Sequence, residues 1–102
     1  MIKVSVLYPS GAGTFNMDYY LNRHIPMVRA MLGTACKSAA VEQGLGGATP
    51  GSPPAFSAMG HLHFDSVDAF QAAFGPHAGA IMGDIPNYTN VQPTIQVSEV
   101  KL

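Results

Sequence analysis

Hydrophobic and polar positions alternate in three segments of the chain and follow a helical period in two. From Ile2 to Tyr8, Ile2, Val4 and Val6 fall on one side and Lys3 and Ser5 on the other, which predicts a strand with one face in a core. From Phe56 to Asp65 the alternation is cleaner: Phe56, Ala58, Gly60, Leu62 and Phe64 share one face, and Ser57, Met59, His61 and His63 share the other. Val91 to Leu102 predicts a last strand, with Ile95 and Val97 on one side and Thr94, Gln96 and Ser98 on the other. Met17, Tyr20, Leu21, His24 and Val28 have the spacing of one helical face. Thr14 or Asn16 supplies the cap and Asp18 suits the positive end. Pro26 cannot donate to the carbonyl of Asn22, so this helix is expected to break or kink just before it. A shorter helical piece from Met27 to Leu32 then ends at Gly33.

Asp65 or Ser66 caps a second helix, with Val67, Phe70 and Phe74 on its stripe and Gly75-Pro76 at its end. A short helical turn is expected from His77 to Met82 and a loop from Gly83 to Asn87. Pro9 to Gly13 reads as a turn. Ala35 to Gly44 is compatible with a strand at a dimer contact. Leu45 to Ala55 has no period and carries three glycines and three prolines, so it reads as a long, mobile hairpin connection. The order strand, helix, strand, strand, helix, strand is the α+β, ferredoxin-like split βαβ arrangement. Both helices should cover one face of a four-stranded antiparallel sheet. Phe56, Leu62, Phe64, Ile95 and Val97 are the candidates for that face. Met59, His61, His63, Thr94, Gln96 and Ser98 should lie on the other.

At 102 residues the chain makes a single domain, 1–102. It is 47% hydrophobic and only 11% charged, against a usual charged quarter. That is more apolar material than one small core needs, and a homodimer that covers a second apolar surface reconciles the two. A net charge of −1 with five Lys and Arg argues against nucleic acid as a partner. No apolar run approaches the ~20 residues of a membrane span, and the N-terminal strand is too short for a signal-peptide core. The lone Cys36 excludes an internal disulfide and points to a reducing cytoplasm.

The chemistry-bearing residues concentrate between Tyr19 and Pro26. His24 lies on the inward stripe at the carbonyl end of a helix interrupted by Pro26. That end favours the imidazolium and burial favours the neutral ring, so His24 is the candidate catalytic acid or base. A buried histidine that merely holds the kink is the alternative. His61 and His63 project from the same side of their strand and are read as cavity-lining groups. The substrate-binding set is Tyr20, Asn22, His61, His63 and Gln96. Tyr20 is equally readable as a packed core aromatic. Tyr19 and Arg23 flank the stripe, i and i+4 apart. A metal held by the three histidines lacks a well-placed carboxylate, so no metal or other cofactor is assigned.

Tyr19-Tyr20-Leu21-Asn22-Arg23-His24-Ile25-Pro26 resembles the Y-Y-x-x-x-H-x-P signature of the EthD family. His61 to Phe70 resembles its third strand and second helix. The resemblance implies a dimeric α+β barrel, in which two ferredoxin-like sheets pack face to face and enclose a cavity. Relatives in that superfamily include cofactor-independent monooxygenases, muconolactone-isomerase-like enzymes and haem enzymes. The family takes its name from an operon for degrading ethyl tert-butyl ether. The expected function is binding of a small organic molecule in a histidine-lined cavity. The protein would serve as an accessory or cofactor-independent enzyme of catabolic or secondary metabolism, oxidoreductase-like or isomerase-like. A non-catalytic, stress-related barrel and a haem or metal oxygenase are the alternatives. The Gly/Pro-rich stretch at 45–54 departs from the family pattern.

Overall fold

The computed structural model describes residues 1–11 and 13–102. Of the turn expected over 9–13, Ala12 lies outside them. Four strands, β1 (Ile2–Pro9), β2 (Ser38–Gln43), β3 (Phe56–Phe64) and β4 (Thr94–Glu99), form an antiparallel sheet in the order β2-β3-β1-β4. This is the split βαβ arrangement expected from the pattern. Helical segments α1 (Met17–Tyr19), α2 (Ile25–Leu32), α3 (Val67–Phe74) and α4 (Ala78–Gly83) connect the strands. No helix among the described residues is long and apolar enough to cross a membrane.

Pairing fixes which side chains share a face. Val4 is opposite Leu62 and Val97, and Val6 is opposite Gly60 and Ile95. These residues lie on the helix side. Ile2, Val4, Leu62 and Phe64 pack there with Val28, Leu32, Cys36 and Ile81 into an aliphatic core. Tyr8, Tyr20, Ala58 and Tyr88 form a second, aromatic core at the other end of the sheet. Two expectations shift. Ile95 and Val97 sit on the helix side yet stay 46% and 43% exposed, because β4 is the edge strand. Phe56 is only half-buried, because the β1–β3 register shifts between Tyr8 and Pro9.

The expected break at Pro26 does not occur. Helical backbone runs on from Met17 to Leu32, because the turn from Tyr20 to His24 is a π-helix, in which the Ile25 N–H reaches back five residues to the Tyr20 carbonyl. Pro26 thus falls in the first turn of α2, where a missing N–H costs little. The α2 piece extends two residues earlier than predicted and ends at Gly33, whose φ of 63° is in the left-handed region. Asn16 caps the start by accepting a bond from the Tyr19 N–H.

The Gly/Pro-rich stretch joins β2 to β3 as a hairpin connection. It is folded on itself by bonds from the Gly47 N–H to the Ser52 carbonyl and from the Ser52 N–H to that of Thr49. The Ser10 N–H ties its end down at the Ala55 carbonyl. The last strand stops at Glu99, short of the predicted Leu102.

Candidate functional site

A cavity of about 100 Å³ lies between the helices and the covered face of the sheet. Val6, Val28, Leu62, Phe74, Ile81 and Ile95 supply much of its apolar wall. Among the described residues its polar lining is Tyr8, Tyr20 and His24. Met82 and Ile95 are the solvent-exposed members of the wall, so the mouth opens between α4 and β4. Among the described residues no carboxylate, lysine or arginine lines it.

The π-turn sets the two ring systems that close one end. Tyr20 and His24 stack with centroids 5.5 Å apart and planes 14° from parallel. Tyr20 reaches the sheet because β3 has glycine at position 60, where any Cβ would collide with the Tyr20 hydroxyl. Tyr20 and His24 are 2% and 5% exposed.

His24 is not at a free helix end, so the helix-terminus argument made for it does not hold. Its environment is set by Asp84, the residue that follows α4. His24 Nδ1 is 2.9 Å from Asp84 Oδ2. The Tyr19 hydroxyl and the Asn87 amide both donate to Asp84 Oδ1, at 2.7 and 2.9 Å. The short 3₁₀ turn Ile85–Asn87 brings Asn87 back onto the carboxylate. On the other side of the ring, Nε2 lies 3.4 Å from the Tyr88 hydroxyl, which is 2.6 Å from the Tyr8 hydroxyl. Tyr88 is held by its surroundings: its carbonyl accepts from the Asn16 N–H, and neighbouring Thr89 pairs with Phe15.

Protonation states follow from these contacts. Burial pushes the His24 pKa below its ordinary 6.5, and the Asp84 carboxylate only partly offsets that. Burial would raise Asp84, but the bonds from Asn87, Tyr19 and His24 together hold it below its ordinary 3.8. At neutral pH the pair is therefore a carboxylate and a neutral imidazole. Nδ1 carries the proton toward Asp84 and Nε2 is the bare, accepting nitrogen. Tyr8, Tyr20 and Tyr88 are all pushed above the ordinary phenol range, chiefly by burial, and stay neutral.

Within the single chain the strand histidines do not join His24. His61, His63 and Gln96 belong to the opposite face of the sheet from the cavity, by the register Ser5↔His61, Lys3↔His63 and Ser5↔Gln96. His61 bonds Ser5 Oγ through Nδ1 at 2.9 Å and Glu42 through Nε2 at 3.1 Å. His63 bonds Ser38 Oγ, and Gln96 bonds Ser98. Asn22 is exposed and outside the cavity wall. Only His24 and Tyr20 of the predicted set line the cavity. Sequence reasoning missed Tyr8, Tyr88 and Asp84. The signal for Asp84 was its isolation: it is the single Asp or Glu between Asp68 and Glu99. Among the described residues no group of three or more His, Cys, Asp or Glu is gathered as a metal set.

A family model described as the EthD domain matches residues 15–92. The chain belongs to the EthD family. An EthD-like protein from Ralstonia eutropha JMP134 is 48% identical, with a TM-score of 0.95 over 99% of this chain and 92% of that one. An ethyl tert-butyl ether family protein from Bacillus halodurans C-125 shares the fold at 20% identity, with a TM-score of 0.70 over 99% of both chains. A dimeric ferredoxin-like protein from Thermobifida fusca YX does so at 17% identity, with a TM-score of 0.59 over 97% of this chain and 90% of that one. No curated protein matches the sequence. The matched residues, 15–92, include Tyr20, His24, Asp84 and Tyr88 of this site.

The two lowered pKa values predict acid sensitivity. The unfolded chain takes a proton on His24 near pH 6.5 while the folded chain resists it, so stability falls as pH drops below about 6.5. Asp84 adds stability that is present above about pH 3.8 and is lost as pH falls through its lower folded-state value. Urea midpoints measured from neutral pH into the carboxylate range should decline in those two windows, and His24→Gln should remove the upper decline only. An unchanged upper decline in His24→Gln would contradict this assignment.

Proposed function

We propose that this EthD-family protein is an enzyme that binds a compact, mainly apolar organic molecule between its helices and its sheet. His24, backed by Asp84, would be the acceptor of a proton from that molecule. The observation that carries the reading is a neutral, carboxylate-anchored imidazole at the wall of an otherwise apolar cavity. A carboxylate that holds one imidazole nitrogen fixes the tautomer and stabilises the imidazolium formed when the other nitrogen takes a proton. Among the described residues the wall offers neither a lysine or arginine nor a carboxylate, which favours an uncharged ligand. A relative named for ethyl tert-butyl ether fits ligands of that compactness and polarity. The proton chemistry is of the kind used by cofactor-independent oxidoreductases and isomerases, in catabolic or secondary metabolism.

A thermal-shift screen of neutral compounds of about ten heavy atoms or fewer tests this reading, because bound ligand raises the melting temperature. Hits should stabilise the native protein and lose their effect in Ile95→Trp, which plugs the mouth. Turnover of a hit should fall ~100-fold or more in His24→Gln. Binding that survives Ile95→Trp, or turnover that survives His24→Gln, would overturn it. A non-catalytic ligand-binding barrel is the second reading. It is favoured by the complete hydrogen bonding of the buried side chains, since no buried side-chain nitrogen or oxygen among the described residues lacks a partner. It predicts a lower melting temperature for His24→Gln and no turnover by the native protein.

We further propose that two copies pair through the open sheet face, in a cytoplasmic homodimer. Leu7 and Met59 lie side by side at the same level of that face and are only half-exposed in the single chain. The Thermobifida fusca relative is described as dimeric. Light scattering should give twice the chain mass of 10.7 kDa for the native protein and the monomer mass for Leu7→Asp. A native monomer at micromolar concentration would contradict the pairing.

A further inference from the structure

Both nitrogens of His24 are already committed. Nδ1 faces Asp84 and Nε2 faces the Tyr88 hydroxyl. Tyr88 does not line the cavity, whereas Tyr8 does. What the imidazole shows to the cavity is therefore its ring, not a free lone pair. A proton that leaves a bound molecule for His24 has a continuous path only through Tyr8 and Tyr88, across the 2.6 Å link between their hydroxyls and the 3.4 Å link to Nε2.

The direction of these bonds is set from the carboxylate end. Asp84 accepts the Nδ1 proton, which leaves Nε2 an acceptor. The Tyr88 hydroxyl must then donate to Nε2, and its oxygen accepts from Tyr8. The Tyr8 oxygen is left as an acceptor at the cavity wall. Tyr20 stands beside Tyr8 on the same wall, with ring centroids 5.6 Å apart. The Tyr8 and Tyr88 hydroxyls thus both point their protons toward His24.

We propose that Tyr8 and Tyr88 form a proton relay to His24, and that the ligand is a compact phenol or enol whose hydroxyl docks against Tyr8 and Tyr20. This rests on the reading of His24 as the proton acceptor. The ligand O–H breaks as its proton passes to the Tyr8 oxygen, the Tyr8 proton moves to Tyr88, and the Tyr88 proton moves to His24 Nε2. The products are a ligand oxyanion and an imidazolium beside Asp84. Both tyrosines end neutral, and no atom changes oxidation state. Tyrosine oxygen is a poor acceptor from carbon, which is why the class is an O–H acid. Tyr20, the other phenol on the cavity wall, would donate to the developing oxyanion, a service that fixed donors perform best in a dry site.

The probe is 4-nitrophenol, which turns yellow on ionising, with 4-nitroanisole as its O-methylated competitor. Rapid mixing in slightly acidic buffer, where the free dye is mostly colourless, should give a yellow bound species in the native protein. 4-Nitroanisole should displace it without colour. In Tyr88→Phe, and independently in Tyr8→Phe, the dye should bind but ionise ~100-fold more slowly. Each change removes one oxygen, and an unchanged circular dichroism spectrum verifies the fold. Ionisation at the native rate in Tyr88→Phe overturns the relay. A dye that fails to bind, or binds without ionising in the native protein, overturns the ligand class and leaves the cavity reading intact. Ionisation that survives in His24→Gln overturns the proton acceptor itself, and the proposed function with it.

Discussion

A carboxylate 2.9 Å from a buried imidazole is the contact on which the rest of the site depends. Without Asp84, the Nδ1 proton of His24 would be buried with nothing to receive it, at a cost of about 1–3 kcal/mol. With it, the ring is fixed in one tautomer and one orientation. The carboxylate in turn is only 13% exposed and stays charged because Tyr19, Asn87 and His24 all donate to it. The hydrogen bonds of the aromatic cluster then follow in order from Asp84 through His24 and Tyr88 to Tyr8.

The backbone makes room for this contact in two places. The π-turn from Tyr20 to His24 carries the helix past Pro26 and sets the two rings in a stack against the sheet. Such turns often mark functional sites. Gly60 then lets the Tyr20 hydroxyl approach strand β3. An ordinary α-helical turn and an ordinary strand residue would each displace the cluster. The aliphatic core, by contrast, lies at the other end of the sheet. The division leaves one end for stability and the other for polar groups.

The strand and helix order was legible because each element carries its own period, 2 for β1 and β3 and 3.6 for α3. The placement of His24 on the inward face was legible for the same reason. The π-turn was not. Proline reads locally as a helix break, and nothing in local propensity shows that a slipped hydrogen-bond ladder can carry the helix across. Asp84 and Tyr88 were missed because they come from a loop, where periodicity says nothing about direction. They meet His24 across 60 and 64 positions of chain. His24 does not meet His61 or His63 within the single chain, because the helices cover one face of the sheet and strand parity puts the two strand histidines on the other.

The central claim is that Asp84 holds His24 as the neutral Nδ1–H tautomer at the wall of the cavity. Nitrogen-15 NMR of the ring, in protein labelled at histidine, reads this directly at neutral pH. The account predicts a protonated Nδ1 and a bare Nε2 for His24. A proton on Nε2, or an imidazolium at neutral pH, would contradict it.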